Sequence, residues 1–469
     1  MSIRHPPISL RRRRLLTATT ALALPMFAPV SGWTQPSAGQ AVLAVAPLAL
    51  RQRTLSNGLE LIAVPDAHAA TVSVQVWYRV GGKDDPVGRS GFAHLFEHMM
   101  FKATRHMKAE QFDRLTEDVG GMNNAFTAED MTGYESLVPS NHLERILWAE
   151  AERMSSLTVD QANFDSERKV VQEEFRQRIL ADPYGLLFNA MAPEGFELHP
   201  YKRPVIGSIK DLDAATLDDV RRFHATYYRP DNAVLIVTGG FDPRQLDAWV
   251  DRYFGALERP PTPIPRVNVT EPLRRQDRVV ALTGPNVPLP ATLLIWQGPK
   301  AASPDSKALR VAQALLSSGE SARLNEALVY RQNIAQSAGF EAALYADAGL
   351  LVAYAIAAGK LRAEQLAAPL LREIERLARN PISAQELDKV KTGLLTAALV
   401  ARETPQGRAH AIGEAVILQG DASAVNRDLI DLQTVSAADV QRVLKHYVLD
   451  AKRVTINYTQ APRGQESKS

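Results

Sequence analysis

Apolar positions along this chain switch between two periods, and the switches mark its elements. From Val72 to Val80 they crowd into a β-branched and aromatic run holding Trp77 and Tyr78, which predicts a buried strand. From about Asp165 to Leu180 they fall at helical spacing with no Pro or Gly, which predicts a helix. After the Gly120-Gly121 turn a β-leaning run extends from Asn124 through Thr132, Tyr134 and Leu137. One pattern occurs twice. Asp211-Leu212, Asp219-Val220, Arg222 and Tyr227 recur 220 positions later as Asp431-Leu432, Asp439-Val440, Arg442 and Tyr447. Each copy predicts an N-capped helix followed by a strand, at Ala233 to Thr238 and at Arg453 to Tyr458. Between the copies, the four prolines of Arg259 to Arg266 suit neither a helix nor a central strand and predict a stiff, extended linker. The expected class is α+β: two related α/β-sandwich-like domains, each an antiparallel-rich sheet covered by helices. They should occupy residues 42–258 and 269–469, joined by a Pro-rich linker at 259–268.

Composition narrows the picture. A chain of 469 residues with 45% hydrophobic content is long enough for two or three domains, and 23% charged residues argues against disorder. The net charge of +2, with no basic block past the N-terminus, leaves no footprint for nucleic acid. With no cysteines there are no disulfides and no thiolate metal ligands. Arg11 to Arg14 precede a short apolar run, Leu15 to Leu24, that ends at Pro25. That is the layout of a secretory signal, and it is too short for a stable membrane span. Arg12-Arg13-x-Leu15-Leu16 also resembles a twin-arginine signal. Residues 1–41 are therefore expected to be signal and leader, and the protein periplasmic.

The candidate chemistry lies in His94-Leu95-Phe96-Glu97-His98. At about 100° per residue, a helix puts His94 and His98 on one face with Glu97 beside them. Two imidazoles at that spacing can hold one Zn2+, and the order His-x-x-Glu-His is the inverzincin signature, with Glu97 as general base on zinc-bound water. A catalytic zinc commonly takes three protein ligands, so a third is expected elsewhere. In Glu167 to Glu174, Glu167 and Glu174 share a helical face while Glu173 points away, and spacing does not choose among the three. His68, His106, His142, His199, His224, His410 and His446 have no partner at ligand spacing and read as surface or core residues.

Three segments together resemble the pitrilysin family of zinc peptidases. They are Gly91 to Lys102, then Gly120 to Thr127 with Thr132 and Tyr134, then Glu167 to Glu174. His199-Pro200-Tyr201 and Gly207 also fit, and the likeness runs from about Thr54 to Tyr458. The processing-peptidase branch is the nearest in kind. The resemblance implies that Glu174 is the third ligand beside His94 and His98, and that Glu167 supports the zinc site. It also implies that Asn124 and Ala125 lie on an edge strand onto which a substrate peptide adds as another strand.

The second half departs from the family pattern. Leu309 to Leu316, where a second metal helix would fall, has no histidine. Gly319-Glu320-Ser321-Ala322-Arg323-Leu324 resembles a family segment after which self-sufficient members carry an Arg and, seven positions on, a Tyr. Here those positions are Val329 and Gln336. Arg323 and Tyr330 have the right separation but shift the register by six, and Asn333 and Ile334 stand where a glycine is usual. The resemblance then implies the zinc-bearing half of a clamshell heterodimer whose homologous partner brings the Arg/Tyr pair, with a homodimer less favoured. The competing expectation is a scaffold or assembly subunit that retains zinc without catalysis.

Overall fold

Two sheets dominate the computed structural model, which describes residues 43–462; the signal and leader expected over 1–41 lie outside the described residues. The first sheet contains β1 (Arg51–Thr54), β2 (Glu60–Pro65), β3 (Thr71–Tyr78), β4 (Met122–Thr127), β5 (Thr132–Pro139) and β6 (Ala233–Gly239), in the order β1-β2-β6-β3-β5-β4. The second contains β7 (Arg278–Gly284), β8 (Ala291–Gly298), β9 (Ala335–Leu344), β10 (Gly349–Ala357) and β11 (Arg453–Gln460), in the order β7-β11-β8-β10-β9. Each sheet has one parallel pair, β2 with β6 and β7 with β11, and is otherwise antiparallel. Both finish in a hairpin whose outer strand, β4 or β9, forms an edge.

The repeated sequence pattern accounts for the matching order. Thr216 and Asp219 close a capping box at the start of helix Leu217–Tyr227, which leads into β6. Ser436 and Asp439 do the same for helix Ala437–Leu444, which leads into β11. The reciprocal side-chain and backbone bonds satisfy first-turn amides that the helix leaves unpaired, so a hydroxyl residue followed three positions later by Asp stands in both copies.

Each half covers one face of the other's sheet. On one face of the first sheet, Val72, Val74 and Val76 pack with Leu95, Phe96, Leu147 and Phe223 of its own helices. On the opposite face, Ile62, Trp77, Val234 and Ile236 pack against Ala409, Ile412 and Val416 of helix Pro405–Gln419, from the second half. Burial on both faces explains why β3 and β6 read as near-continuous apolar runs. In return, Leu187, Phe196 and Tyr201 of the first half lie on Leu293, Ile295, Leu350 and Ile456 of the second sheet.

Polar contacts lock the seam. Asp130, in the turn after β4, accepts from the Tyr201 hydroxyl, from Lys83 Nζ at 2.8 Å and from Ala346 N, in the turn after β9, at 2.9 Å. Lys83 Nζ also reaches Asp347 at 2.8 Å, and His199 and Lys83 hold the Asp347 carboxyl well below the usual range. The two hairpin tips thus meet around one buried carboxylate. Residues 255–277 contain no helix or strand. Arg229 holds this stretch by donating to the carbonyls of Thr262, at 2.9 Å, and Pro260. Among the described residues, no helix is long and apolar enough to cross a membrane.

A pair of glycines tests the seam. A Cβ on Gly413 would sit 2.4 Å from Trp77, whose Nε1 is held by Gln75 Oε1 at 2.9 Å, whereas a Cβ on Gly393 meets nothing within 4 Å. Gly→Ala inside a helix gains about 1 kcal/mol from propensity, and overpacking costs about 1–3 kcal/mol. Gly393→Ala should therefore raise stability by about 0.5–1 kcal/mol, while Gly413→Ala should lower it by about 1–2 kcal/mol. Urea midpoints decide the signs, and a stabilising Gly413→Ala would contradict this packing.

Candidate metal and active site

Helix Phe92–Met99 has only eight residues. It buries Phe92, Leu95, Phe96 and Met99 in the first core and turns His94, Glu97 and His98 to one side. Its start is held by two devices. Gly91 has φ 93°, in the left-handed region that glycine tolerates. A Cβ on Gly207 would meet Ser90 O at 2.4 Å and Gly91 Cα at 2.6 Å, so two backbones press together where no side chain fits. The Asp85 carboxylate then accepts from Gly91 N at 2.6 Å and Ala93 N at 2.9 Å. Burial pushes the Asp85 carboxyl up to about 7, against the opposing pull of those amides and Arg203.

Glu174 comes from helix Gln161–Phe175, which starts at its Asp160 cap, earlier than the expected Asp165, and continues as a π-helical turn, Arg176–Ala181. Its Oε2 lies 3.5 Å from His94 Nε2 and 3.5 Å from His98 Nε2. Ligand atoms of these three residues lie within 4.8 Å of one another. Glu174 Oε1 pairs with Arg178 at 2.8 Å. Buried Glu167 approaches His98 Nδ1 at 3.6 Å and takes Lys102 Nζ at 2.8 Å on its other oxygen. Glu173 lies outside the cluster, its side chain 56% exposed and hydrogen-bonded to Arg176 and Gln177.

The donor set fits Zn2+: two imidazole nitrogens and one carboxylate oxygen, with a further carboxylate bracing one ring. Burial, with His98 nearby, lowers His94 to about 4 and keeps it neutral. Burial opposes charge on His98 too, but Glu167 and Glu174 outweigh it and hold its pKa up to about 9. The cluster thus holds a positive charge between two carboxylates, and a bound divalent cation would take over that charge with both rings neutral.

Half-buried Glu97 stands beside the ligands, and its Oε2 accepts from Thr127 Oγ1 at 2.6 Å. Burial raises the Glu97 carboxyl and the Thr127 hydroxyl partly offsets this. Thr127, Ala125 and Asn124 all lie on β4. Ala128 N donates inward to Met131 O, so strand alternation turns the main-chain groups of Asn123, Ala125 and Thr127 toward the free edge. The Asn124 main chain faces β5, and its side chain shares the strand face of Phe126, opposite that of Ala125.

Residues 61–208 match the family model described as insulinase (peptidase family M16), and residues 214–394 match the one described as the peptidase M16 inactive domain. The chain belongs to peptidase family M16. Among its M16 relatives, "Zinc protease PqqE" of Helicobacter pylori is 29% identical over 408 residues, covering 86% of this chain and 91% of that protein. The probable beta subunit of the mitochondrial-processing peptidase of Arabidopsis thaliana is 24% identical, covering 85% of this chain and 76% of that one. A solved protease structure from Helicobacter pylori superposes with a TM-score of 0.85 at 28% identity, over 88% of this chain and all of that one.

The second M16 half closes what the first leaves open. On β9, the amides of Phe340 and Ala342 donate to Ser317 Oγ and to Gln313 Oε1, from the packed helix Ser306–Ser317. Arg323 pairs with Glu386 through two bonds of 2.7 Å, and Tyr330 is exposed. Val329 packs against the second core and Gln336 is exposed at the start of β9. Asn333 has φ 50°, the left-handed conformation expected of the glycine it replaces and one that Asn adopts readily.

Asp85, Lys102, Arg178 and the Thr127 contact escaped sequence reasoning. Capping rules look just ahead of a helix, whereas Asp85 reaches Ala93 from eight positions away. Asp85→Ala leaves two buried amides unpaired and should cost about 2–3 kcal/mol, with Asp85→Asn costing less because one acceptor remains. Thermal and urea unfolding measure both; equal, negligible losses would remove Asp85 as the anchor of this helix.

Proposed function

We propose that this chain is the zinc-bearing subunit of an exported endopeptidase that cleaves peptides or small unfolded proteins inside a clamshell chamber. The observation that carries the proposal is the meeting of His94, His98 and Glu174 beside Glu97, next to the free edge of β4. Zn2+ held by the three ligands supplies Lewis-acid polarisation of a carbonyl and brings the pKa of a water toward neutrality. The residues of the chain do the rest. Ala125 offers main-chain groups along which a peptide lies as an added strand, a grip that reads little sequence. Asn124, whose main chain is committed to β5, contributes its side-chain amide to the bound peptide. Glu97 takes the proton from the attacking water and returns it to the leaving amine. Lys102 and Glu167 keep the His98 ring in its plane.

Val329 and Gln336, standing where Arg and Tyr are expected, support dependence on a homologous partner that supplies that pair. The scaffold reading draws support from the second half, which matches the model of an inactive domain. A retained base beside a complete ligand set favours catalysis.

Glu97→Gln should keep zinc and lose hydrolysis of a quenched peptide, whereas His94→Ala and Glu174→Ala should lose the metal as well. Glu167→Gln should weaken zinc about 10- to 100-fold in chelator competition. The chain alone should turn over slowly and gain activity when mixed with a homologue carrying the Arg/Tyr pair. Full activity of the lone chain would sink the heterodimer, and zinc binding without turnover under either condition would leave the scaffold.

A further inference from the structure

The geometry points to Thr127 as the positioning residue that decides which oxygen of Glu97 does the proton transfer and that ties this choice to peptide docking on β4. The inference rests on the reading of Glu97 as the base. The terminal torsion of a glutamate is broad and nearly two-fold, so an unassisted carboxylate presents its two oxygens interchangeably. Here one of them, Oε2, accepts the Thr127 hydroxyl at 2.6 Å. That contact fixes the plane of the group and leaves Oε1 as the oxygen available to a water.

The donor is well placed for such a task. A β-branched side chain has few χ1 states, so its hydroxyl goes where the backbone sends it. The backbone is held from two directions. Thr127 pairs with Thr132, whose own hydroxyl donates to Val80 O at 2.9 Å. Three residues on, Asp130 is fastened to Tyr201, Lys83 and the second half. The helix does not need the contact for its attachment, because Phe92, Leu95, Phe96 and Met99 are buried in the core and the Tyr134 hydroxyl reaches Phe96 O at 3.3 Å.

Thr127 also has a second role. Its main-chain groups lie on the free edge of β4, facing an added strand, while its side chain touches the base. A peptide that pairs with this edge therefore bonds to the residue that orients Glu97, and strand addition steadies the carboxylate at the moment a scissile bond is in place.

Five zinc-loaded proteins, each assembled with a homologue carrying the Arg/Tyr pair, test this: wild type, Thr127→Val, Thr127→Ser, Glu97→Gln and the double variant Thr127→Val/Glu97→Gln. Thr127→Val keeps shape and removes the donor. It should lower kcat about 10- to 100-fold, with KM within about twofold because edge-strand binding does not use the hydroxyl. Zinc affinity by chelator competition and the unfolding midpoint should match wild type. Thr127→Ser should recover kcat to within about threefold, since the hydroxyl returns on a looser side chain. Peptide affinity, read by fluorescence anisotropy in the inactive Glu97→Gln background, should not change when Thr127→Val is added. Wild-type kcat in Thr127→Val, or weakened zinc or peptide binding in it, would overturn the positioning role while leaving an inactive Glu97→Gln to uphold the base. Activity retained by Glu97→Gln would instead overturn the underlying reading of Glu97.

Discussion

An eight-residue helix does not hold its shape in water on its own, yet both imidazoles of the metal cluster stand on one. Its first turn is therefore the constraint on which the site depends. Asp85 satisfies amides that a short helix leaves bare, and Gly91 and Gly207 bring two backbones closer than side chains would allow. The apolar residues of the helix then fix its rotation against β5 and against Phe223 and Tyr228. With that rotation fixed, His94, Glu97 and His98 emerge on one side, and the approach of Glu174 becomes a question of how two helices lie together.

The second half acts on the site from a distance. It has no cluster of this kind among the described residues, and its edge strand is capped by Ser317 and Gln313. Its contribution is mechanical. The turn after β9 grips Asp130, in the turn that follows the strand carrying Ala125 and Thr127. The same fold is thus used twice, once with an open edge beside a metal-binding helix and once with a sealed edge that braces the first.

What could be read from the chain follows the range of the forces involved. The two N-capped helices of the repeat, the apolar run of β3 and the helical face shared by His94 and His98 are local, and the sequence pattern exposes them. The nearness of Glu174 to the imidazoles depends on the mutual rotation of two helices, so spacing left Glu167, Glu173 and Glu174 equivalent and only the family resemblance separated them. Asp85 was illegible because it caps from a loop rather than from the residue before the helix. Asn333 hid a backbone conformation that a search for glycine does not find. The commitment of Arg323 to Glu386 depends on a helix 63 positions away in sequence.

The exchange of cover between the halves has a consequence for how the chain is made. When the first 239 residues have been synthesised, the strands of the first sheet are all present, but Ile62, Trp77, Val234 and Ile236 still lack the helix that seals them. That helix, Pro405–Gln419, comes near the end of the chain. The first half can gather the core between its sheet and its own helices, but the opposite face of that sheet stays apolar and uncovered while residues 240–404 are made.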